Sequence, residues 1–351
     1  MDIVKSLANY IIDNKNRFDY GFANGLAGNC LFLYESSKSL GIDIYGKNAD
    51  NLLDGLFDSK LIKRLKPDFI DGLSGIGWCL EYFLKQGFCT GDRNEILEDI
   101  DIAVFKVISE NRKIPLGLWD GLIGYLFYVI SRLENNIECE GYFINIELFK
   151  ELINRIDEIA PDHFPFMVKD ARFELFWTYS MLFYVITKSL KLNIYNEKIV
   201  NVLKQWILYI ETLLPSLHSH RLSLAISLLE LNKIINLPEI EKQINILLFS
   251  IDYNKFTQEC DIDSFSFNLN WIGQVFILKK ATILFDSKYS NYNKLEILRI
   301  NMIRTFKKKF EERIAETLKE TNAENKPNST LLSGLSGIGL MYSVYPECIE
   351  C

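Results

Sequence analysis

His218 and His220 are two of only three histidines in the chain, and Arg221 follows them directly. Imidazole nitrogens are common zinc ligands, and a guanidinium can hold a carboxylate or a peptide carbonyl. Side chains two residues apart on a helix point to nearly opposite sides, so both rings can face one metal only if residues 217–221 are extended or form a loop. We therefore favour a capping or hydrogen-bonded histidine pair at the start of a helix. A metal site completed by Cys260 is the alternative.

Carboxylates and tryptophans form a second group of candidates, because they stand beside recurring glycine phrases. A pair of aspartates in one hollow would suit a glycosidase, although helix capping explains the same two residues equally well. Tryptophans can stack on a sugar or grip a peptide, although aromatic residues near helix starts more often belong to the core. The residues that we expect to line the hollow are Asp71, Trp78, Trp119, Asp120, Asn270 and Trp271.

The composition argues against several classes of protein. The 351 residues carry a formal charge of −7, which argues against nucleic acid as a partner. The seven cysteines show no repeated spacing, unlike a secreted disulfide framework or a zinc knuckle. The first residues lack the features of a signal peptide, and the longest apolar stretch is too short for a transmembrane helix. We expect one cytoplasmic domain over residues 1–351.

One phrase recurs along the chain and divides it into repeats. The first three copies are 47 and 49 residues apart, and the pattern Gly-Leu-x-Gly begins at Gly25, Gly72, Gly121 and Gly334. This period suits one helical hairpin per repeat, since the alternation typical of strands is absent. Degenerate copies fill the long gap before the last phrase, at residues 177–180, 220–223 and 270–273. The sequence therefore predicts seven repeats.

The glycine phrase makes physical sense at the start of an inner helix. Its two glycines share one helix face and let neighbouring backbones approach closely, at a cost of about 1 kcal/mol each against alanine. The residue before the first glycine can cap the helix; it is Asn24, Asp71, Asp120 or Ser333. Amphipathic segments between the phrases predict outer helices. We expect an all-α fold, an α/α toroid (barrel) of about seven helical hairpins with GxxG phrases at the N-termini of the inner helices.

With these repeats, the whole chain resembles the lanthionine synthetase C-like family. Four Gly-Leu-x-Gly phrases carry the match, and two of them extend to Gly-Leu-Ser-Gly-Ile-Gly at residues 72–77 and 334–339. The resemblance implies a seven-hairpin toroid that adds a peptide cysteine thiol to a dehydrated residue and closes a thioether ring. It also implies a zinc ion that lowers the pKa of the thiol, so that a thiolate attacks.

The positions that would carry this chemistry hold other residues in this chain. Alignment with the family pattern places His218 where a zinc cysteine is expected, and Asn268 and Leu269 where a Cys-His pair is expected. The expected acid of the third repeat falls on Gly117, and the expected histidine of the fourth falls near Phe176. Leucine cannot bind zinc. The resemblance therefore predicts a toroid that lacks the family's zinc ligands.

The function we favour is a zinc-free pseudo-cyclase that binds a peptide or a partner enzyme in the maturation of a ribosomally made, lanthipeptide-like peptide. Its expected partners are a peptide substrate or leader peptide and a dehydratase or another modification enzyme. One alternative is an active thioether-forming cyclase with a rearranged zinc site around His218 and His220; another is a carbohydrate-active toroid that uses Asp71 and Asp120. No cofactor is expected unless the cyclase alternative holds, and the residues alone leave open whether the protein is an enzyme.

Overall fold

The computed structural model describes residues 2–14, 19–56, 65–135, 141–166, 172–285, 292–319 and 328–349. Within these ranges the regular structure is helical, and one isolated β-bridge joins Asp19 and Gly25. The expected all-α class is therefore confirmed. The helices are α1 (Ile3–Asp13), α2 (Leu26–Leu40), α3 (Asp43–Leu56), α4 (Leu73–Gln86), α5 (Arg93–Glu110), α6 (Leu122–Asn135), α7 (Gly141–His163), α8 (Thr178–Lys191), α9 (Asn196–Ile210), α10 (His218–Ile235), α11 (Pro238–Phe249), α12 (Tyr253–Phe256), α13 (Trp271–Leu284), α14 (Tyr292–Thr317), α15 (Leu335–Val344) and α16 (Pro346–Ile349).

Seven of these helices follow the glycine phrases or their degenerate copies, and they are buried on nearly all sides. In α2, for example, every residue from Leu26 to Ser36 is buried. A helix that is apolar all round belongs in the interior of a protein rather than at its surface. We call these seven the inner helices; they are α2, α4, α6, α8, α10, α13 and α15.

The inner helices contact one another in chain order. Helix α2 packs on α4, α4 on α6, α6 on α8, α8 on α10 and α10 on α13. The loops before α13 and α15 meet where the Ser266 hydroxyl donates to the Leu332 carbonyl at 2.7 Å. Helix α15 in turn packs on α2. The last inner helix of the chain therefore contacts the first.

Each inner helix also has an outer neighbour. Helices α3, α5, α7, α9, α11 and α14 pack on α2, α4, α6, α8, α10 and α13, respectively, and α1 packs on α15. Their apolar residues lie three or four apart, as in α5, where Leu97, Ile100, Val104 and Ile108 are the buried positions. The first outer helix of the chain thus belongs to the last repeat. None of the described helices has the length and apolar character needed to cross a lipid bilayer.

Backbone hydrogen bonds join the loops that lead into four inner helices. The amide of Leu332 donates to the carbonyl of Ala23 at 2.8 Å, Ala23 donates to Ile70 at 2.6 Å, and Ile70 donates to Trp119 at 2.9 Å. Each of these residues stands two positions before the first glycine of its phrase. The loops of the seventh, first, second and third repeats therefore form one continuous bonded series.

The second glycine of each phrase makes room for its own loop. A Cβ atom at Gly28, Gly75, Gly124 or Gly337 would overlap the carbonyl oxygen of the residue six positions earlier. No side chain fits in that space, so glycine is required for steric reasons rather than for its dihedral freedom. The close backbone approach expected from the phrase is real, but the approaching backbone is the preceding loop of the same repeat.

The residue before the first glycine does not cap the helix in three of the four phrases, contrary to expectation. The N-cap residues are Gly25, Gly72 and Gly334 themselves, with no side-chain cap. The Asp71 carboxylate instead accepts from the backbone and side-chain amides of Asn24 at 2.7 and 2.8 Å. These polar side chains join neighbouring repeats, because the loops already lie close together.

Candidate functional site

A cavity of about 270 Å³ lies where the loops and the inner helices converge. Among the described residues, its lining side chains are apolar or aromatic, and together they offer no carboxylate, imidazole, thiol or amine. Phe22, Phe69, Leu118 and Leu331 come from the loops, each three residues before the first glycine of its phrase. We call this space the apolar cavity.

A second set of lining residues comes from the inner helices at a fixed position. Leu31, Trp78, Phe127 and Leu340 each stand six residues after the first glycine of their phrase and line the apolar cavity. Two fixed positions in four repeats therefore supply eight of its lining residues. The repeat pattern contained this signal, but the sequence analysis examined only the residues next to the glycines and missed it.

Aromatic rings follow one another around the cavity wall. Phe22 packs on Phe69 with ring centroids 5.5 Å apart, and Phe69 contacts Trp119 at 6.4 Å. Trp119 meets Phe176 at 5.5 Å, and Phe176 meets Phe267 at 5.7 Å, both edge to face. Such pairs fix ring orientation beyond simple burial. The wall is therefore an ordered aromatic surface contributed by several repeats.

The predicted hollow-lining residues divide into two groups. Trp78 and Trp119 line the apolar cavity. Trp271 is instead fully buried against Phe306 and Phe310 of the outer helix α14. The buried Asn270 accepts from the Ile272 amide at 2.9 Å and caps α13. Trp271 and Asn270 were expected to line the hollow, and these contacts correct that expectation. Both stand at the start of α13, where Trp271 packs on an outer helix and Asn270 caps the helix.

The two predicted aspartates also lie outside the apolar cavity. Asp71 is half-buried and bound to Asn24, whereas Asp120 is exposed. Asp68 lies near both and accepts from the Asp71 amide at 3.2 Å. Burial raises the pKa of Asp68, and the charges of Asp71 and Asp120 add to the rise. Asp71 therefore has a structural role in joining two loops.

The two histidines of α10 have separate partners. Helix α10 begins at His218, whose Nδ1 accepts from the Asp252 amide at 3.1 Å. The Nε2 atom of His220 accepts from the Glu174 amide at 3.1 Å, and its ring stacks on Trp177 with centroids 4.4 Å apart. A ring nitrogen that accepts a hydrogen bond from a backbone amide has its lone pair engaged. The favoured interpretation, a hydrogen-bonded pair at a helix start, agrees with these contacts.

The residues around α10 do not fit a zinc ion. Burial lowers the pKa of His220 to about 3, so its ring is neutral, but its Nε2 lone pair is already engaged by the Glu174 amide. The Asn268 side chain accepts from the Phe176 amide at 2.9 Å, and Leu269 offers no ligand atom. Across the described ranges, no three His, Cys, Asp or Glu side chains are grouped closely enough to hold a metal ion.

Arg221 binds carbonyl groups of its own protein. Its Nε donates to the Pro215 carbonyl at 2.7 Å, and its Nη1 donates to the Ser250 carbonyl at 2.6 Å. The N-terminus of α10 is stabilised by Glu259, whose carboxylate accepts from the amides of His218 and Ser219 at 2.7 and 2.8 Å. A carboxylate at this end of a helix is stabilising. Sequence analysis missed Glu259 because it lies about 40 residues from the helix that it caps.

A smaller cavity of about 150 Å³ adjoins the apolar cavity and shares Trp78 and Phe127 with it. Its wall includes Lys85, Glu134 and Lys188, together with hydroxyl groups of serine and tyrosine. These residues lie in the C-terminal halves of the inner helices. We call this space the polar chamber, and it also escaped the sequence analysis.

A buried ion network includes Glu81, which lines the polar chamber. Arg132 and Glu81 are each 1% exposed and pair at 2.6 Å. Arg132 also pairs with Asp101 at 2.8 Å, and Arg93 lies 3.5 Å from the second oxygen of Glu81. A buried charge is tolerated only when it is paired in this way. The network joins α4, α5 and α6.

A third cavity of about 470 Å³ is polar and lies beside α8. Arg172, Glu174, His163 and His220 are among its lining residues, and Arg172 pairs with Glu174 at 3.6 Å. The Arg172 side chain is 71% exposed, so this ion pair is largely screened by water. A charged ligand would therefore be held more weakly in this cavity than in a buried site.

No family model matches the chain, and no curated protein matches it. The case for a function therefore rests on the repeats and on the geometry described above.

Proposed function

We propose that the protein is a lanthionine synthetase C-like α/α toroid and a zinc-free pseudo-cyclase, which binds an apolar segment of a ribosomally made peptide in its hollow. The observation that carries the proposal is the apolar cavity, with its apolar and aromatic wall. Such a wall gains free energy by removing apolar ligand surface from water. The partner is a peptide during maturation, with a dehydratase or another modification enzyme acting on the same chain.

The order of helix contacts supports the toroid. Consecutive inner helices pack on one another from α2 to α13, the loops before α13 and α15 are hydrogen-bonded, and α15 contacts α2, as a closed ring requires. The N-terminal helix α1 contacts both α15 and α2, so it bridges the place where such a ring would close. A single domain over residues 1–351 and a cytoplasmic location accompany this proposal.

The cavity volume limits what can bind. A volume of 270 Å³ corresponds to roughly nine water molecules at about 30 Å³ each. That space takes one large apolar side chain or two smaller ones, rather than a folded peptide. We therefore propose that one or two apolar anchor residues of the peptide enter the cavity while the rest stays outside.

The two enzymatic alternatives receive no support from the contacts. The rearranged zinc site needs His218, His220 and Cys260 to converge, yet the two rings accept hydrogen bonds from the amides of different loops. The carbohydrate-active toroid needs Asp71 free to act on a substrate, yet its carboxylate is bound to Asn24.

Calorimetric titration with two peptides tests the proposal. The probes are acetyl-Gly-Ser-Gly-Leu-Phe-Leu and acetyl-Gly-Ser-Gly-Ser-Asn-Ser, both with free C-termini. The apolar peptide is expected to bind at least about tenfold more tightly than the polar one, because only its side chains remove apolar surface from water. Binding should be unchanged by a metal chelator.

A matched pair of tryptophan variants locates the binding. Leu340→Trp fills part of the apolar cavity and should weaken binding of the apolar peptide at least about tenfold. Ile283→Trp adds the same ring at a position that is 70% exposed on α13 and should leave binding unchanged. Thermal melting of both variants checks that they fold. Equal binding of the two peptides, or equal binding by the two variants, contradicts the proposal.

A further inference from the structure

The polar chamber holds two ammonium groups beside a single carboxylate. Glu134 is the acceptor for two lysines: its Oε2 lies 3.5 Å from Lys85 Nζ, and its Oε1 lies 3.8 Å from Lys188 Nζ. The other acid of the chamber, Glu81, is bound by the guanidinium groups of Arg132 and Arg93. Glu81 is therefore already occupied, and the two lysines share Glu134 alone among the described carboxylates that line the chamber.

The lysine contacts are loose enough to accommodate another acceptor. Charge-assisted N–H···O bonds are usually about 2.7–2.9 Å long, and both lysine distances exceed this range. An ammonium group carries three donors, so a lysine can keep its contact with Glu134 while donating to a second anion. The side chains of Lys85 and Lys188 are 51% and 36% exposed, so each is only partly desolvated.

Tyrosine adds a neutral donor to the same chamber. The Tyr184 ring stacks on Phe127 at 5.8 Å, and Lys188 and Lys280 lie 6.0 and 5.1 Å from its centroid. Burial, together with the charge of Glu230, raises the pKa of Tyr184 to about 12, so the phenol keeps its proton at neutral pH. A protonated phenol can donate to an anion but adds no negative charge that would repel it.

The two cavities are adjacent and differ in chemistry. Trp78 and Phe127 belong to the walls of both, so the two rings stand between the apolar side chains and the lysines. Inner helices present their C-terminal halves here, and their carbonyl ends carry partial negative charge. An anion would be repelled at this end without the lysines, which makes the lysine pair the decisive feature.

We infer that the polar chamber binds the free C-terminal carboxylate of a peptide whose last apolar side chains fill the apolar cavity. The inference rests on the proposed function and adds to it which end of the peptide is held and in which direction the peptide lies. A carboxylate beside Lys85 and Lys188 gives the two ammonium groups a second acceptor besides Glu134. The apolar cavity then selects peptides that have apolar residues immediately before that terminus.

The test compares acetyl-Gly-Ser-Gly-Leu-Phe-Leu as the free acid with its C-terminal amide, again by calorimetry. The wild-type protein should bind the acid at least about tenfold more tightly than the amide. In Lys188→Met the two affinities should become nearly equal. The matched control is Lys308→Met on α14, where the lysine is 88% exposed, and it should keep the wild-type preference.

Salt provides a second readout that needs no variant. The acid-to-amide preference should shrink between low and high ionic strength, because the lysines are partly exposed and therefore screened. Equal binding of acid and amide to the wild-type protein would overturn this inference and leave the proposed function standing. Binding of neither peptide would overturn both.

Discussion

The second glycine of each phrase is required because a backbone carbonyl oxygen occupies the place that a Cβ atom would take. Helix propensity does not explain it, since glycine is a poor helix former. At Gly75 an added Cβ would collide with the Phe69 carbonyl and lie 2.9 Å from the Phe22 side chain. Both of these residues line the apolar cavity. A single methyl group at this position would therefore displace the cavity wall as well as the loop.

Gly75→Ala should lower the free energy of unfolding by about 2 kcal/mol or more, because the loop carbonyl cannot move without breaking its neighbours' hydrogen bonds. The control is Gly55→Ala in α3, where an added Cβ meets nothing within 4 Å. That exposed helical position should gain up to about 1 kcal/mol, since alanine favours helix. Urea unfolding measures both. Equal effects of the two substitutions would mean that the carbonyl contact is not what requires glycine.

His220 should make the free energy of unfolding depend on pH. Burial lowers its pKa to about 3 in the folded protein, whereas an unfolded histidine titrates near about 6.5. The unfolded chain therefore binds the extra proton first, and the free energy of unfolding should fall as the pH drops from 6.5 towards 3.

His220→Gln removes this titration and retains an acceptor for the Glu174 amide. Urea unfolding at several pH values should show a shallower acid slope in the variant than in the wild-type protein. Identical slopes would show that His220 takes up no proton on unfolding.

At the scale of the helices, the Arg132 network ties three elements by charge. Arg132 on α6 reaches Glu81 on α4 and Asp101 on α5, and it is almost fully buried. Burying these groups is costly, so the network is better understood as fixing the relative positions of the helices than as a large net source of stability. These positions set where Trp78 and Phe127 stand between the two cavities.

Arg132→Met should destabilise the protein by about 3–5 kcal/mol, because Glu81 would remain charged in a buried site. The double variant Glu81→Gln, Arg132→Met should recover part of this loss. Lys150→Met is the control, since Lys150 pairs with Glu147 at an exposed position and should change stability by less than about 1 kcal/mol. Chemical unfolding of all three variants gives the comparison, and a loss at Arg132 as small as at Lys150 would argue against a buried network.

At the scale of the whole molecule, the N-terminal helix packs against the last repeat. Helix α1 contacts α15 and α2 through buried residues that include Leu7 and Ile11. These contacts join the N-terminal helix of the chain to its last inner helix. Helix α1 therefore stabilises α15, the last inner helix.

Leu7→Ala should lower the free energy of unfolding by about 3 kcal/mol through the cavity that it leaves, since Leu7 has no exposed surface. Amide hydrogen exchange should also increase in α15, although α15 lies more than 300 residues away in the chain. Lys5→Ala on the exposed face of α1 should change neither quantity. Faster exchange confined to α1 itself would contradict a role in closing the repeats.

The sequence predicted the positions of the inner helices well, because the glycine phrase has a steric cause in its four full copies. It predicted the apolar cavity only through Trp78 and Trp119. The loop residues, such as Phe69, were missed because burial beside a glycine phrase depends on how neighbouring loops bond. Glu259 and Arg132 could not be predicted, since their partners are distant in sequence and emerge only when the repeats pack.

The most direct test of the central claim is to locate a bound peptide by photo-crosslinking. The probe is acetyl-Gly-Ser-Gly-Leu-Phe-Leu with photo-leucine in place of its last leucine, and labelled residues are identified by mass spectrometry. The account predicts labels on Trp78, Phe127 and their neighbours in the apolar cavity. Labels confined to exposed apolar residues of the outer helices, such as Leu208 and Phe249, would contradict it.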